Sequence, residues 1–159
     1  MIKIVQPNEV FKVIEHTGIR VWEFITVHHT ANGVIGKDRH WGHLIDDIHR
    51  NERDWKNGMG YHFLINPDGV IQIGDRWIKQ LDGAHNLGWN DTSLGIGLVG
   101  NFSDPGSLPT AEQLQRFRDL RYVFSNLPLR PHCAFHDTEC PGKNINLKTW
   151  FKLFELKGE

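Results

Sequence analysis

The segment GYHFLINPDGVIQIG, residues 60–74, limits the possible folds more than any other stretch of the chain. Two runs rich in β-branched and aromatic residues flank Asn66-Pro67-Asp68-Gly69. Proline presets a turn and glycine supplies the awkward dihedral, so the two runs read as the arms of a hairpin. WEFITVHHTA, residues 22–31, is apolar and β-branched enough for a buried strand. It ends in polar residues where the chain leaves the sheet, which places His28 and His29 at the strand's exit. After the Gly-, Asn- and Asp-rich loop LDGAHNLGWNDTS comes LGIGLVGN, residues 94–101. Its glycines and branched residues suggest another buried strand, one against which other backbone packs closely.

Helical patterns lie between these runs. From Asp38 to Trp55, the residues Trp41, Leu44, Ile45 and Ile48 follow the three-and-four spacing of an amphipathic helix. Thr110 and Gln113 form a T-x-x-Q capping box, and Leu114, Phe117, Leu120, Tyr122 and Phe124 follow, which predicts a helix over 111–125. Leu147, Trp150, Phe151 and Phe154 share one face of a terminal helix over about 147–157, with Asn146 as its cap. Strands interleaved with helices give an α/β or α+β sheet flanked by helices. At 159 residues, with no repeat, low-complexity tract or Pro/Ser linker, the chain reads as one domain.

Charge and hydropathy narrow the partners. The net charge is −1 with histidine neutral, so no overall basic field draws nucleic acid or an anionic membrane surface. There is no apolar run of about 18 residues, and no apolar stretch of about 7 to 15 residues behind a basic start. The expectation is a protein made in the cytoplasm, with neither a Sec-type signal nor a membrane span.

Histidine is the outlier in composition, with ten residues against two cysteines. HCAFHDTECPG, residues 132–142, crowds His132, Cys133, His136, Asp137 and Cys140 together. Two cysteines are too few for a disulfide framework, so metal or catalytic duty is the better reading, with a Cys133–Cys140 disulfide as the alternative. Zinc takes His nitrogen, Cys thiolate and carboxylate oxygen, and catalytic sites leave one position for water. Successive strand residues point to opposite faces, so at most one of His28 and His29 aims at a given metal, and periodicity does not choose between them. His136 and Cys140 would share a face on a helix. Pro131 and Pro141-Gly142 favour an extended or looped segment, in which His132 can pair with Cys140. Spacing alone leaves both pairings open.

Four segments in order carry a resemblance: VHHTA, GYHFLI, GAHNLGWNDTSLGIGLVGNF and an H-x7-C-P-G ending. Together they resemble the zinc-dependent N-acetylmuramoyl-L-alanine amidases. Within these they are similar to the group holding the short phage lysozymes of amidase type and the animal peptidoglycan recognition proteins. The resemblance covers roughly residues 22–145. It implies a single α/β domain with a central mixed β-sheet flanked by helices and a zinc site at the sheet edge in a groove. Residue by residue, it makes His28, His132 and Cys140 the ligands of one zinc ion and Tyr61 the catalytic tyrosine. Two residues before the cysteine the family has lysine or threonine. Thr138 stands there, so a cationic partner for the transition state is missing at that position. The GAH histidine and a nearby asparagine, here His85 and Asn90, border the groove for glycan and stem peptide. Trp41, Trp77 and Trp89 are candidates to stack on sugar faces, although Trp41 on a helix face reads as core. His62, by strand alternation, should face away from Tyr61.

The implied chemistry is consistent with these residues. An amide is a poor electrophile, and its hydrolysis needs a nucleophile near neutral pH and a place for the developing oxyanion. Zinc can provide both, by lowering the pKa of bound water to about 7 and polarising the carbonyl. Two imidazoles and a thiolate leave the ion formally +1. Tyr61 then hydrogen-bonds the water or the tetrahedral intermediate. Thr138 adds an auxiliary bond or, with Asp137, caps the loop. The expected reaction cuts the amide between muramic acid and L-alanine of peptidoglycan, and the expected protein is a monomeric phage endolysin. A bacterial autolysin and a non-catalytic peptidoglycan receptor are the alternatives. In the receptor branch the cysteine commonly becomes serine, whereas Cys140 is intact. A regulatory protein partner, known for some related phage lysozymes, leaves no readable mark in the sequence.

Overall fold

A strand in which every side chain is buried must be covered on both faces, and β2 (Phe24–His29) and β5 (Ser93–Leu98) are the longest of this kind among the described residues. They pair in parallel. The computed structural model describes residues 1–10, 20–32 and 41–145. Around this pair the sheet is completed by β1 (Lys3–Val5), β3 (Phe63–Ile65), β4 (Ile71–Ile73) and β6 (Leu129–Pro131), in the order β1-β4-β3-β5-β2-β6. β3 joins β5 and β6 joins β2 in parallel, whereas β4 meets both β3 and β1 antiparallel, so the sheet is mixed.

The hairpin forms where the sequence places it. Gly69 takes a φ of +83 and donates its N–H to the Asn66 carbonyl at 2.9 Å, and an Asp68 carboxylate oxygen accepts from the Val70 N–H at 3.0 Å. The resulting register sets Phe63 beside Ile73 and Ile65 beside Ile71.

Register also sorts the two faces of the sheet. Ile25, Val27, Ile96, Leu98, Phe63 and Ile65 belong to the larger core, with Trp77, Phe124 and the residues Phe117 and Leu120 of α3 (Ala111–Val123). Leu64 faces the other way and packs with Met59, Val99 and the residues Trp41 and Ile45 of α1 (Trp41–Asn51). Fully burying a side chain of this size contributes roughly 1.5–3 kcal/mol. On this second face Thr26 stands beside Gly95 and His28 beside Gly97.

The capping box of α3 is complete. The Gln113 N–H donates to the Thr110 hydroxyl oxygen and the Thr110 N–H to Gln113 Oε1, both at 3.0 Å. The Gln113 amide nitrogen then donates to the carbonyls of Ile65 and Val99 at 3.1 and 2.9 Å, which ties the start of the helix to the ends of β3 and β5.

Other expectations shift. α1 ends at Asn51 rather than near Trp55, because Asp54 takes a φ of +52 and turns the chain so that the Trp55 N–H reaches the His49 carbonyl at 3.0 Å. Residues 38–40, where that helix was expected to begin, and the terminal helix over 147–157 lie outside the described residues. β1, β6 and the four-residue α2 (Asp75–Ile78) were not read from the sequence. α2 carries Trp77, which is 1% exposed and in contact distance of the Phe63 and Phe124 rings. It is core and has no face to offer a sugar.

Candidate metal centre and groove

The parallel strands β2 and β6 lie at one end of the sheet order, and both deliver side chains to the same point. His28 is the fifth residue of β2, and His132 opens a 3-10 turn (His132–Ala134) directly after β6. Pro131 ends that strand because it brings no N–H to a ladder. The chain then runs through turns to Cys140, whose carbonyl accepts from the Cys133 N–H at 2.9 Å and closes the loop on itself. One nitrogen of His28, one of His132 and the Cys140 sulfur all lie within 4.8 Å of one another. Among the described residues this is the group of His, Cys and acid side chains that converges as a metal site would.

Distance and donor chemistry suit a tetrahedral ion. Zn–N bonds of about 2.1 Å and Zn–S bonds of about 2.3 Å hold N and S about 3.6 Å apart. His28 Nδ1 and Cys140 Sγ are already 3.5 Å apart. The His28 and His132 ring centroids are 4.4 Å apart. Three donors leave a fourth position toward a cavity of about 270 Å³ lined by Tyr61, Thr138, His85, His49, Arg53 and Trp55.

The electrostatics keep the imidazoles neutral. Burial, then the neighbouring His85 and His132, hold His28 well below the usual range for histidine. Burial, then His136, brings His132 to about 4. Burial pushes the Cys140 thiol up to about 12, partly offset by its contact with the His29 carbonyl. An incoming cation therefore displaces a proton from sulfur and none from nitrogen. Tyr61 also titrates above its ordinary range, through burial first and Cys140 second, so its phenol stays protonated.

The other candidates sort by contact. His29 points away from His28, and its Nδ1 accepts from the Phe102 N–H at 3.2 Å. His136 turns its Nε2 to Asn86 Oδ1 at 3.0 Å, while the amide nitrogen of Asn86 donates to Thr26 Oγ1 at 3.1 Å. That network pins the 132–140 loop to the loop before β5. Cys133 is an exposed free thiol and Cys140 a buried one, so the pair forms no disulfide. The Thr138 hydroxyl oxygen accepts from the Cys140 N–H at 3.2 Å, a loop-capping bond that leaves its own proton to donate into the cavity.

His85 and Asn90 both line a second, adjoining cavity of about 400 Å³ with Trp55, Leu87, His132 and His136. Asn90 Oδ1 is occupied by the backbone N–H groups of His85 and Asn86, at 2.9 and 2.8 Å. Tyr61 and His62 diverge as expected. The Tyr61 ring lies 5.2 Å from that of His28, while His62 is buried beside Trp22, with ring centroids 4.6 Å apart. β5 makes the room. A Cβ on Gly95 would stand 2.5 Å from His85, and one on Gly97 would stand 3.1 Å from Tyr61. The close approach foreseen at these glycines is thus made by two rings rather than by backbone.

Three groove residues escaped the sequence reading: His49, Arg53 and Trp55, from the end of α1 and the turn after it. The positive φ of Asp54 brings them round, and no periodicity signals it. The Arg53 guanidinium lies 5.1 Å from the Trp55 ring centroid and makes no ion pair among the described residues. Of the three tryptophans first considered for stacking, Trp41 is core, and Trp89 is 45% exposed with its ring against Phe24 and Phe135.

Comparisons with known proteins bear on the family and the fold. The family described as N-acetylmuramoyl-L-alanine amidase matches residues 18–143. Peptidoglycan-recognition protein LE of Drosophila melanogaster is 32% identical over 149 residues, 86% of this chain and 42% of that protein. The chain thus spans less than half the length of that relative. The endolysin of Escherichia phage T7 is 32% identical over 112 residues, 66% of this chain and 71% of the endolysin. Among solved structures, the endolysin amidase LysCS from Clostridium intestinale superposes with a TM-score of 0.72 at 30% identity, covering 87% of this chain and 86% of that one. Fold and sequence agree, and the chain belongs to the N-acetylmuramoyl-L-alanine amidase family.

Proposed function

We propose that this chain is a zinc-dependent N-acetylmuramoyl-L-alanine amidase that hydrolyses the bond between N-acetylmuramic acid and L-alanine in peptidoglycan. The observation that carries the reading is the convergence of His28, His132 and Cys140 at the head of a groove, with Tyr61 and Thr138 lining the same cavity. Zinc held there supplies Lewis acidity toward the amide carbonyl and a nucleophile near neutral pH. The remaining work falls to the chain. Tyr61, kept protonated by burial, donates to the carbonyl oxygen as negative charge develops on it. Thr138 offers a second, weaker donor from the cavity wall. Among the described residues Arg53 brings the only guanidinium of the cavity lining, so positive charge reaches the groove from the turn after α1 although Thr138 carries none. The adjoining cavity beside Trp55 and Leu87 is the space for the glycan and stem peptide.

Likeness to the endolysins of phage T7 and Clostridium intestinale supports the finer reading of a phage endolysin; on that reading the protein is made in the host cytoplasm and acts on the wall. Incubating the protein with peptidoglycan, with and without chelator and beside Cys140→Ala, tests the chemistry. New L-alanine amino termini are expected, lost on chelation and in the variant. New reducing sugar ends alone would point to a glycosidase. Binding without cleavage by the zinc-loaded protein would favour a receptor, the alternative raised by the recognition-protein relatives.

A further inference from the structure

His85 has both ring nitrogens engaged inside the protein. Its Nε2 lies 3.2 Å from the Ser93 carbonyl and its Nδ1 lies 3.0 Å from His28 Nε2. A carbonyl oxygen only accepts, so His85 Nε2 carries the hydrogen. In a neutral ring its Nδ1 is then bare and accepts, which places the other hydrogen on His28 Nε2. His28 Nδ1 is left with its lone pair, and it is this nitrogen that faces Cys140 Sγ at 3.5 Å. The direction of the chain is thus set at the Ser93 carbonyl and read out at the metal-facing atom.

The ring has little freedom to turn out of this arrangement. A Cβ on Gly83 would come within 2.2 Å of it and one on Gly95 within 2.5 Å, so it fits in a slot closed by two glycines. Its backbone N–H is held by Asn90 Oδ1 at 2.9 Å. The His28 and His85 ring planes stand 84° apart with centroids 5.0 Å apart. From these contacts we propose that His85 is a positioning residue. The Ser93–His85–His28 hydrogen-bond chain fixes His28 in the tautomer and orientation that present Nδ1 to the metal. The proposal rests on the reading of His28 as a zinc ligand. It gives His85 a task other than hydrogen bonding to substrate, for which it has no nitrogen to spare. Outer partners of this kind typically govern metal affinity by about 10–100-fold.

Two measurements test it. Long-range 1H–15N correlation spectra of the metal-free, 15N-histidine-labelled protein report tautomers directly. His28 and His85 should both be protonated at Nε2 and bare at Nδ1, and a His28 protonated at Nδ1 overturns the proposal. Zinc affinity, read by competition with a chromophoric chelator, should fall about 10–100-fold in His85→Leu and recover in large part in His85→Asn. The asparagine amide oxygen can take the place of Nδ1 as acceptor. Unchanged affinity in His85→Leu, or a loss that His85→Asn does not repair, overturns the relay while leaving the zinc site standing. A wild-type protein that takes up no zinc removes the metal reading itself, and the proposal with it. Should His85→Leu fail to fold, the wild-type tautomers and the His85→Asn affinity still decide the matter.

Discussion

Tyr61 is the residue whose environment best defines its task. Burial raises its phenol above the usual range, so the hydroxyl keeps its proton to donate throughout the neutral range, where the buried imidazoles are uncharged. Tyr61→Phe removes that donor and keeps the ring that packs over Gly97. On the proposed function, kcat should fall about 10²–10³-fold with little change in KM, because the bond strengthens only as charge builds on the oxygen. An equal rise in KM and no change in kcat would place Tyr61 in substrate binding instead. Cys140 gives a second prediction at this scale. Its thiol is pushed up to about 12 while His28 and His132 sit below their ordinary range. Zinc uptake near pH 6 should therefore release close to one proton per ion, measured calorimetrically in buffers of differing ionisation enthalpy. A release near zero would mean that sulfur is not a ligand. At this scale, spacing could offer His132 and His136 equally to Cys140. What separates them is the 3-10 turn after Pro131 and the hold of Asn86 on His136. The second depends on a loop fifty residues away, which local sequence does not encode.

Among the elements, those whose signal is local chemistry were legible. Asn66-Pro67-Asp68-Gly69 encodes its turn in four residues, and Thr110 with Gln113 encodes the start of α3. β6 and α2, at three and four residues, are too short for any periodicity to register, and their existence depends on the edge of β2 and on the space left for Trp77. Gln113 shows how a local signal acquires a long-range role. It caps α3 and at the same time donates to the carbonyls that end β3 and β5. Thr110→Ala should cost about 1 kcal/mol, the ordinary worth of an N-cap. Gln113→Ala should cost about 2–3 kcal/mol, since it removes the return bond of the capping box and leaves the buried Val99 carbonyl without its donor, while the Ile65 carbonyl keeps the Val99 N–H at 3.1 Å. Urea denaturation of the metal-free protein compares the two. Equal losses would mean that the carbonyl contacts contribute nothing beyond the cap. Zinc affinity should be unchanged in both, because α3 lies on the sheet face opposite His28.

For the whole molecule, the sheet's two faces divide the labour. One is filled by the larger apolar core, and the other surrenders part of its area to polar rings at His28, His85 and Tyr61. The interleaving of strands and helices was readable from pattern. The strand order was not, because it depends on which edges meet after β2, β3 and β5 have paired. Keeping buried histidines neutral couples the fold to pH. His28, His62, His85 and His132 all titrate below the ordinary value, with burial as the first cause. The unfolded chain takes up protons on these rings from about pH 6.5 downward. The folded chain resists until about pH 4 at His85 and His132. The unfolded state thus binds more protons between these limits, and stability must fall as pH falls through them. For a ring moved from 6.5 to about 4, as at His85, each unit of pH crossed costs about 1.4 kcal/mol. That ring alone removes roughly 3 kcal/mol by pH 4, and half-buried His132 contributes less. At the alkaline end the order reverses. The folded Cys140 keeps its proton to about 12 against an ordinary value of 9.0, so stability falls again as pH rises above 9. Urea midpoints of the metal-free protein should trace a plateau between about pH 7 and 9 with losses on both sides. An unchanged midpoint from neutral pH down to pH 5 would show that these rings are not held neutral by the fold.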